Sequence, residues 1–472
     1  VGLGLVALDA LADTIVLKNG RRIVAPNVVE ENGRVSYETP AGRLSLPRSI
    51  VERIERGGGF TGDAGASSAA QLPIGPPEVE PGEGYDEIAR AAVHDGSIDQ
   101  AYLARLEGAA GDGAAATAAR AAVAHAAAAQ FELRHRDIEQ AIAHYRRALT
   151  FAPPQPNLFL GISLNIAYLH LRRSEYTAAL DYLDRVRRVV PDSADVAKLS
   201  GWAYYGLNRL DQAVEEWKRA LRLRPDAEVQ RALEKAERDQ QAESSYREGE
   251  TRHFTLRYYG GAAPQLARDI LRALEEHFRA IESELNFTPP EPIGVILYTE
   301  QAFADITRAP GWVGALNDGR IRVPVQGLTS VPAELSRVLK HELTHSFIQQ
   351  KTRGRCPVWL QEGIAQWMEG RRSRENADLL VSVYERKAAL RLGAMEGSWM
   401  GLPEGVASYA YAWSLAVVEY IVETYGMRDI ERLLDHVATD ASTEAAARTS
   451  LRMDYAELQQ ETAKYLRHAY LR

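Results

Sequence analysis

A spacing of 34 residues constrains the fold of this chain more than any other feature. Ala213, Trp217, Ala220 and Pro225 recur as Ala179, Leu183, Val186 and Pro191, and a more diverged copy holds Ala141, Tyr145, Ala148 and Pro153. A unit of this length is one pair of helices that cannot bury its apolar face alone, so successive units must stack. Gly201 and Ala167 take the small position where the two helices of a unit cross closely. The alanine and aromatic positions therefore read as packing core. Three copies, over 118–226, meet the minimum for a stable stack. Glu228 to Gln241 follows as an expected capping helix with a polar outer face.

This pattern resembles the tetratricopeptide repeat, whose helix pairs wind into a solenoid with a concave face. The resemblance implies a peptide or protein partner on that face.

A second signal lies downstream. His341-Glu342-Leu343-Thr344-His345 sits in a segment where Leu335, Val338, Leu339 and Leu343 recur at helical spacing. Histidines four apart share one helical face and can grip one ion, with Glu342 beside them to take a proton from water. A catalytic zinc needs a third protein ligand and an open position. Glu362, seventeen positions after His345, is the best candidate, on a second apolar helix that Gly354 and Pro357 allow to double back. One Zn2+ is thus expected on His341, His345 and Glu362.

The pair of motifs, HELTH and then Trp359-Leu360-Gln361-Glu362-Gly363-Ile364-Ala365, resembles the gluzincin zinc peptidases, and among them the bacterial peptidase MA-like domains. The resemblance extends over about 249–472. It implies an α+β, thermolysin-like metallopeptidase domain in which a small mixed sheet precedes a helical bundle, with the metal at the junction. It also implies hydrolysis of peptide bonds with Glu342 as general base and a tyrosine hydroxyl stabilising the oxyanion. Similar domains carry a tyrosine at the place of Tyr411, and Tyr409 is the second choice. Glu369, seven residues past Glu362 on the same helical face, is the expected partner of a metal-bound histidine, with Gln366 a weaker alternative. Gly314, Ala315 and Leu316, in an expected hairpin ahead of the metal helix, are candidates for an edge strand to which substrate adds. A catalytically idle domain in a repeat scaffold is the alternative function, although such a scaffold has no chemical reason to keep Glu342, which binds no metal. Zinc-dependent hydrolysis of something other than peptides is a third.

The rest of the chain sets the frame. At 472 residues it is too long for one core. Its net charge of −8 argues against nucleic acid as partner, and no uninterrupted apolar run has the length of a membrane span. Val1 to Leu8 is apolar and Ala10-Leu11-Ala12 resembles a signal-peptidase site, so 1–12 reads as a signal-peptide remnant and the chain as exported, to a bacterial periplasm or beyond. Residues 13–56 alternate between Asn-Gly turns and predict a small all-β meander. Gly, Pro, Ala and Ser dominate 57–84, a linker; 85–248 is the helical repeat region and 249–472 the metallopeptidase domain. The fold class is thus multi-domain. Cys356, the sole cysteine, reads as a packing residue.

Overall fold

The structure is a computed structural model and describes residues 12–17, 22–25, 28–31, 33–39, 42–59, 85–111, 115–135, 137–152, 156–262, 264–299, 301–303, 315–325, 328–399, 402, 404–440 and 442–471. The N-terminal β region holds β1 (Ala12–Leu17), β2 (Arg22–Ala25), β3 (Val29–Glu31), β4 (Arg34–Thr39), β5 (Gly42–Pro47) and β6 (Val51–Gly59). Instead of one meander these form two three-stranded sheets, ordered β2-β1-β6 and β3-β4-β5. Ile15, Val28, Val35 and Val51 make their small shared core. Strand β6 has few apolar residues and takes its form from pairing with β1, which carries it to Gly59, past the expected start of the linker. Of the signal remnant expected over 1–12 and the linker expected over 57–84, residues 1–11 and 60–84 lie outside the described residues, while Ala12 opens β1 and 57–59 belong to β6.

Helices α1 (Tyr85–Ala92) and α2 (Gln100–Ala110) flank a short hairpin, β7 (Val93–His94) and β8 (Ser97–Ile98). The pairs α3 (Ala115–Arg134) with α4 (Ile138–Phe151), α5 (Pro156–Arg172) with α6 (Tyr176–Val189), and α7 (Ala194–Gly206) with α8 (Leu210–Leu223) then stack in succession, followed by α9 (Ala227–Glu243). A Cβ on Gly201 would lie 2.3 Å from the Trp217 indole, so only glycine admits that ring between α7 and α8. The indole Nε1 donates to Lys198 O at 3.2 Å.

Helix α9 has the expected solvated outer face, with Gln230, Arg231, Glu234, Arg238 and Gln241 exposed, but it also carries charge on its buried side. Asp239 is fully buried and Glu243 is 4% exposed. Both meet Arg320 and Arg322, themselves fully buried on a strand of the next sheet. That sheet runs β12-β13-β11-β10-β9, from β9 (Arg247–Glu250), β10 (Phe254–Tyr258), β11 (Ile293–Tyr298), β12 (Leu316–Asn317) and β13 (Ile321–Pro324). Strands β10, β11 and β13 are parallel, and the two edges are antiparallel. Helix α10 (Pro264–Leu285) crosses from β10 to β11 and packs one sheet face into the main core.

The remainder is helical: α11 (Ala333–Lys351), α12 (Val358–Met368), α13 (Ala377–Glu385), α14 (Glu404–Tyr425), α15 (Met427–Thr439), α16 (Thr443–Leu451) and α17 (Tyr455–Tyr470). By length and composition Gly405–Tyr425 is apolar enough to cross a membrane, but most of it is buried inside the fold. Trp413, Val417, Val418 and Ile421 form part of the main core.

Candidate metal centre

Two contacts fix how α11 and α12 meet. Gly363 faces α14 so closely that an added Cβ would sit 2.4 Å from Ser414 O and 2.6 Å from Val418 Cγ2. One turn on, Gln366 Nε2 donates to Glu362 O at 3.1 Å and to Tyr411 O at 3.0 Å, tying α12 to α14. The glycine of Trp-Leu-Gln-Glu-Gly is thus a packing necessity, and it holds Glu362 towards α11. On the other side Asn317 of β12 donates through Nδ2 to Glu342 O at 2.8 Å and to Ser346 Oγ at 2.7 Å. The motif helix is therefore pinned to the sheet beside its own glutamate. Sequence reading placed Asn317 only in a turn, and its reach to α11 depends on tertiary placement.

His341, His345 and Glu362 converge in the buried space between the helices. The two Nε2 atoms lie 3.0 Å apart, and Glu362 Oε2 stands 3.5 Å from that of His341 and 3.7 Å from that of His345. A tetrahedral ion with bonds of ~2.0–2.1 Å would separate its ligands by about 3.3 Å. Neither oxygen of Glu362 has a hydrogen-bond partner. A buried carboxylate left without one is costly unless a cation meets it. The donor set, two imidazoles and a carboxylate, suits zinc.

The surrounding charges follow from burial. Burial disfavours the His341 imidazolium, yet Glu362 and Glu369 outweigh it and hold its pKa up at about 10. His345, buried and beside the His341 charge, is held well below the usual histidine range. Burial pushes Glu362 up to about 7 and Glu342 also to about 7, with Glu362 and Glu369 adding to the effect on Glu342. Both oxygens of Glu342 lack hydrogen-bond partners as well. It stands in the sequence between the two histidines, and among the described residues its carboxylate makes no hydrogen bond that would explain it as a structural residue.

Glu369 caps the end of α12, 8% exposed. Its Oε1 stands 3.4 Å from His341 Nδ1 and forms an ion pair with Arg371, Nε to Oε1 2.8 Å. Tyr411 packs edge-on against Trp399, ring centroids 4.9 Å apart. Burial raises its hydroxyl pKa well above the usual value, and the nearby carboxylates of Glu362 and Glu342 raise it further. Tyr409 stacks on Trp413, and burial alone raises it. Ala315 is fully buried and Leu316 lies in β12 at the sheet edge, paired with Arg322; Gly314 lies outside the described residues. Cys356 is buried and its carbonyl accepts from Gln361 Nε2 at 2.8 Å.

Comparison with known families agrees with this arrangement. A model of the Peptidase MA superfamily matches residues 283–468, and a tetratricopeptide repeat model matches 170–236. No curated protein matches the chain. The superfamily match takes in α11 and α12 with His341, Glu342, His345 and Glu362, but starts near the end of α10, so β9 and β10 of the same sheet precede it. The chain thus joins tetratricopeptide repeats to a domain of the Peptidase MA superfamily.

Proposed function

We propose that the chain is a zinc-dependent peptidase of the gluzincin type, its domain thermolysin-like in arrangement. The observation that carries the reading is the buried triangle of His341 Nε2, His345 Nε2 and Glu362 Oε2, spaced as one tetrahedral ion requires. A zinc ion held there supplies Lewis acidity and lowers the pKa of water from 15.7 to about 7.

The protein's residues do the rest. Glu342, a carboxyl with a pKa of about 7 and no other partner, takes the proton of the attacking water and returns it to the leaving amine. Tyr411 donates its hydroxyl hydrogen to the oxyanion of the tetrahedral intermediate, a role supported over Tyr409 by its sensing the charges of Glu362 and Glu342, which Tyr409 does not. Glu369, its Oε1 3.4 Å from His341 Nδ1, favours the ring orientation that turns Nε2 towards Glu362. The substrate backbone adds to the free edge of β12 beside Ala315 and Leu316. The apolar Val1–Leu8 stretch and the Ala10-Leu11-Ala12 site support export.

The test compares zinc content and cleavage of casein or a peptide library by the wild type and Glu342→Gln. Metal in both with cleavage in the wild type alone is expected, the variant losing ~10²–10⁴-fold in rate. No cleavage by a zinc-loaded wild type would overturn the proposal. Glu362→Ala should lose the metal.

A further inference from the structure

We propose that the cleft between the repeats and α11 is a subsite for a large apolar side chain of the peptide substrate. On that view the repeats select sequence from inside the active-site cleft. This rests on the peptidase reading above. A cavity of about 410 Å³ lies between α5, α6 and α7 on one side and α11 with the β12–β13 turn on the other. That is within the ~300–1,000 Å³ of ordinary ligand pockets. Its wall on the α11 side includes His345, Gln349 and Gln350, so it reaches a residue of the candidate metal centre. Across from them stand Tyr168, Trp202 and Tyr205.

The repeat wall is held in place. Arg320 Nη1 donates to Asn208 Oδ1 at 2.8 Å and its Nη2 to Asp239 Oδ2 at 2.6 Å. Arg322 Nη2 donates to Asp239 Oδ2 at 2.9 Å and to Tyr205 Oη at 3.2 Å. Glu291, from the loop before β11, accepts from Thr177 N at 2.9 Å on the far side. The cavity is therefore a built space.

Four polar atoms of its described lining residues lack partners, Trp202 Nε1, Gln350 Oε1, His345 Nδ1 and Arg320 Nε. Trp202 Nε1, on a side chain only 3% exposed, has a hydrogen to donate, and Gln350 Oε1 can accept. A peptide unit offers the complement, a carbonyl for the indole and an N–H for the amide oxygen. The aromatic faces suit an aromatic or large aliphatic side chain. Arg172, Glu291 and Asp318 put both signs of charge around the space, so a strongly charged ligand gains little there.

The probe is a set of fluorescein-labelled nonapeptides in which one Phe is moved through a Gly/Ser sequence, with the all-Gly/Ser peptide as reference. Binding is read by anisotropy on the zinc-loaded, full-length Glu342→Gln protein. At least one Phe peptide is expected to bind tenfold or more tighter than the reference. Adding Gln349→Trp, which fills the cavity from α11, should cut that preference below threefold with zinc content unchanged. Trp202→Phe keeps the bulk, removes one donor and should weaken the Phe peptide about fivefold. Less than threefold preference in the parent, or full preference in the filled variant, would overturn the proposal. Should Gln349→Trp fail to fold, unchanged affinity in Trp202→Phe is the overturning result. Cleavage by the wild type that ignores the Phe removes the subsite and leaves the peptidase reading standing. Selective binding without any cleavage keeps the site and removes the peptidase reading.

Discussion

Removing the Arg322 guanidinium should unfold the repeats and the sheet together. The side chain donates to Asp239 Oδ1 at 3.1 Å and Oδ2 at 2.9 Å, to Asp318 Oδ1 at 3.0 Å and to the hydroxyl of Tyr298 at 2.6 Å. Around it the cations Lys235, Arg320 and Arg322 face the carboxylates Asp239, Glu243 and Asp318, and all but Lys235 are essentially excluded from water. At the rim Arg257 stands 3.5 Å from Glu243 and 2.9 Å from the exposed Glu248. Counted with that rim pair, charges of opposite sign balance. Arg322→Met leaves one carboxylate uncompensated, which at such a site costs about 3–5 kcal/mol. In urea, with a slope near the top of the ~1–3 kcal/mol/M range for a long chain, the midpoint should fall by about 1–2 M.

The assay is urea unfolding followed by far-ultraviolet circular dichroism and by tryptophan fluorescence, since Trp202 and Trp217 report on the repeats and Trp359 and Trp413 on the bundle. Both signals should move together. The control is Arg322→Met with Asp239→Leu, which restores charge balance and should recover half or more of the loss, because replacing a whole buried pair is often near neutral. A single variant within 1 kcal/mol of wild type would refute the reasoning, as would a double variant that costs the sum of its parts. The pH dependence has a defined sign. Despite burial, the nearby arginines hold Asp239 below the ordinary carboxylate range, and Arg322 with Lys235 does the same for Asp318. Their contribution is present above about pH 4, the unfolded value, and is lost as pH falls through the lower folded values.

Four further outcomes are expected. Tyr411→Phe should lower kcat ten- to a hundredfold with KM little changed, while Tyr409→Phe stays near wild type; steady-state kinetics on one peptide separates them. Glu369→Gln should weaken metal binding by ~10–100-fold in a competition titration with a chelator, and equal affinity would remove Glu369 from the centre. Gly363→Ala should destabilise the fold by ~1–3 kcal/mol, since the new methyl meets the Ser414 backbone, and thermal unfolding reads this directly. Zinc loading at pH 7 should release at least one proton, from His341, with further release from Glu362 and Glu342, both raised to about 7 in the free site and both beside the cation. Calorimetry in buffers of different ionisation enthalpy counts them, and a count near zero would contradict the charge states given to the free site.

Much of the centre could be read in advance because its determinants are local. Histidines four apart must share a helical face, and Gly354 and Pro357 mark where the chain turns back to bring Glu362 opposite them. Gly201 and Trp217 were legible for the same reason, as neighbours within one repeating unit. Asn317 was not, because what it does depends on how β12 lies against α11, 25 residues on from it to Glu342. Strand β6 was missed because its pairing with β1 outweighs a weak pattern of its own.

The interface between repeats and sheet illustrates a stronger failure, and its cause is physical. In Arg320-Ile321-Arg322-Val323 the alternation of charged and apolar residues is also what a half-exposed strand shows, and Asp239 and Glu243 share a helix with Arg231, Glu234 and Arg238, which are exposed. An unpaired charge belongs in water, so neither segment alone signals burial. Each supplies the other's counter-ions, and Asp239, Glu243, Arg320 and Arg322 are buried together. Such a contact leaves no apolar signal in either stretch. It also alters what the repeats are: α9 completes the layer behind the strand next to the metal helix. The span of the superfamily match, which begins at 283, therefore leaves out Asp239 and Glu243, the carboxylates that neutralise its own Arg320 and Arg322. Expressed alone, that span would expose both guanidinium groups to water and leave them without Asn208, Tyr205, Asp239 and Glu243, keeping only Asp318 and Tyr298.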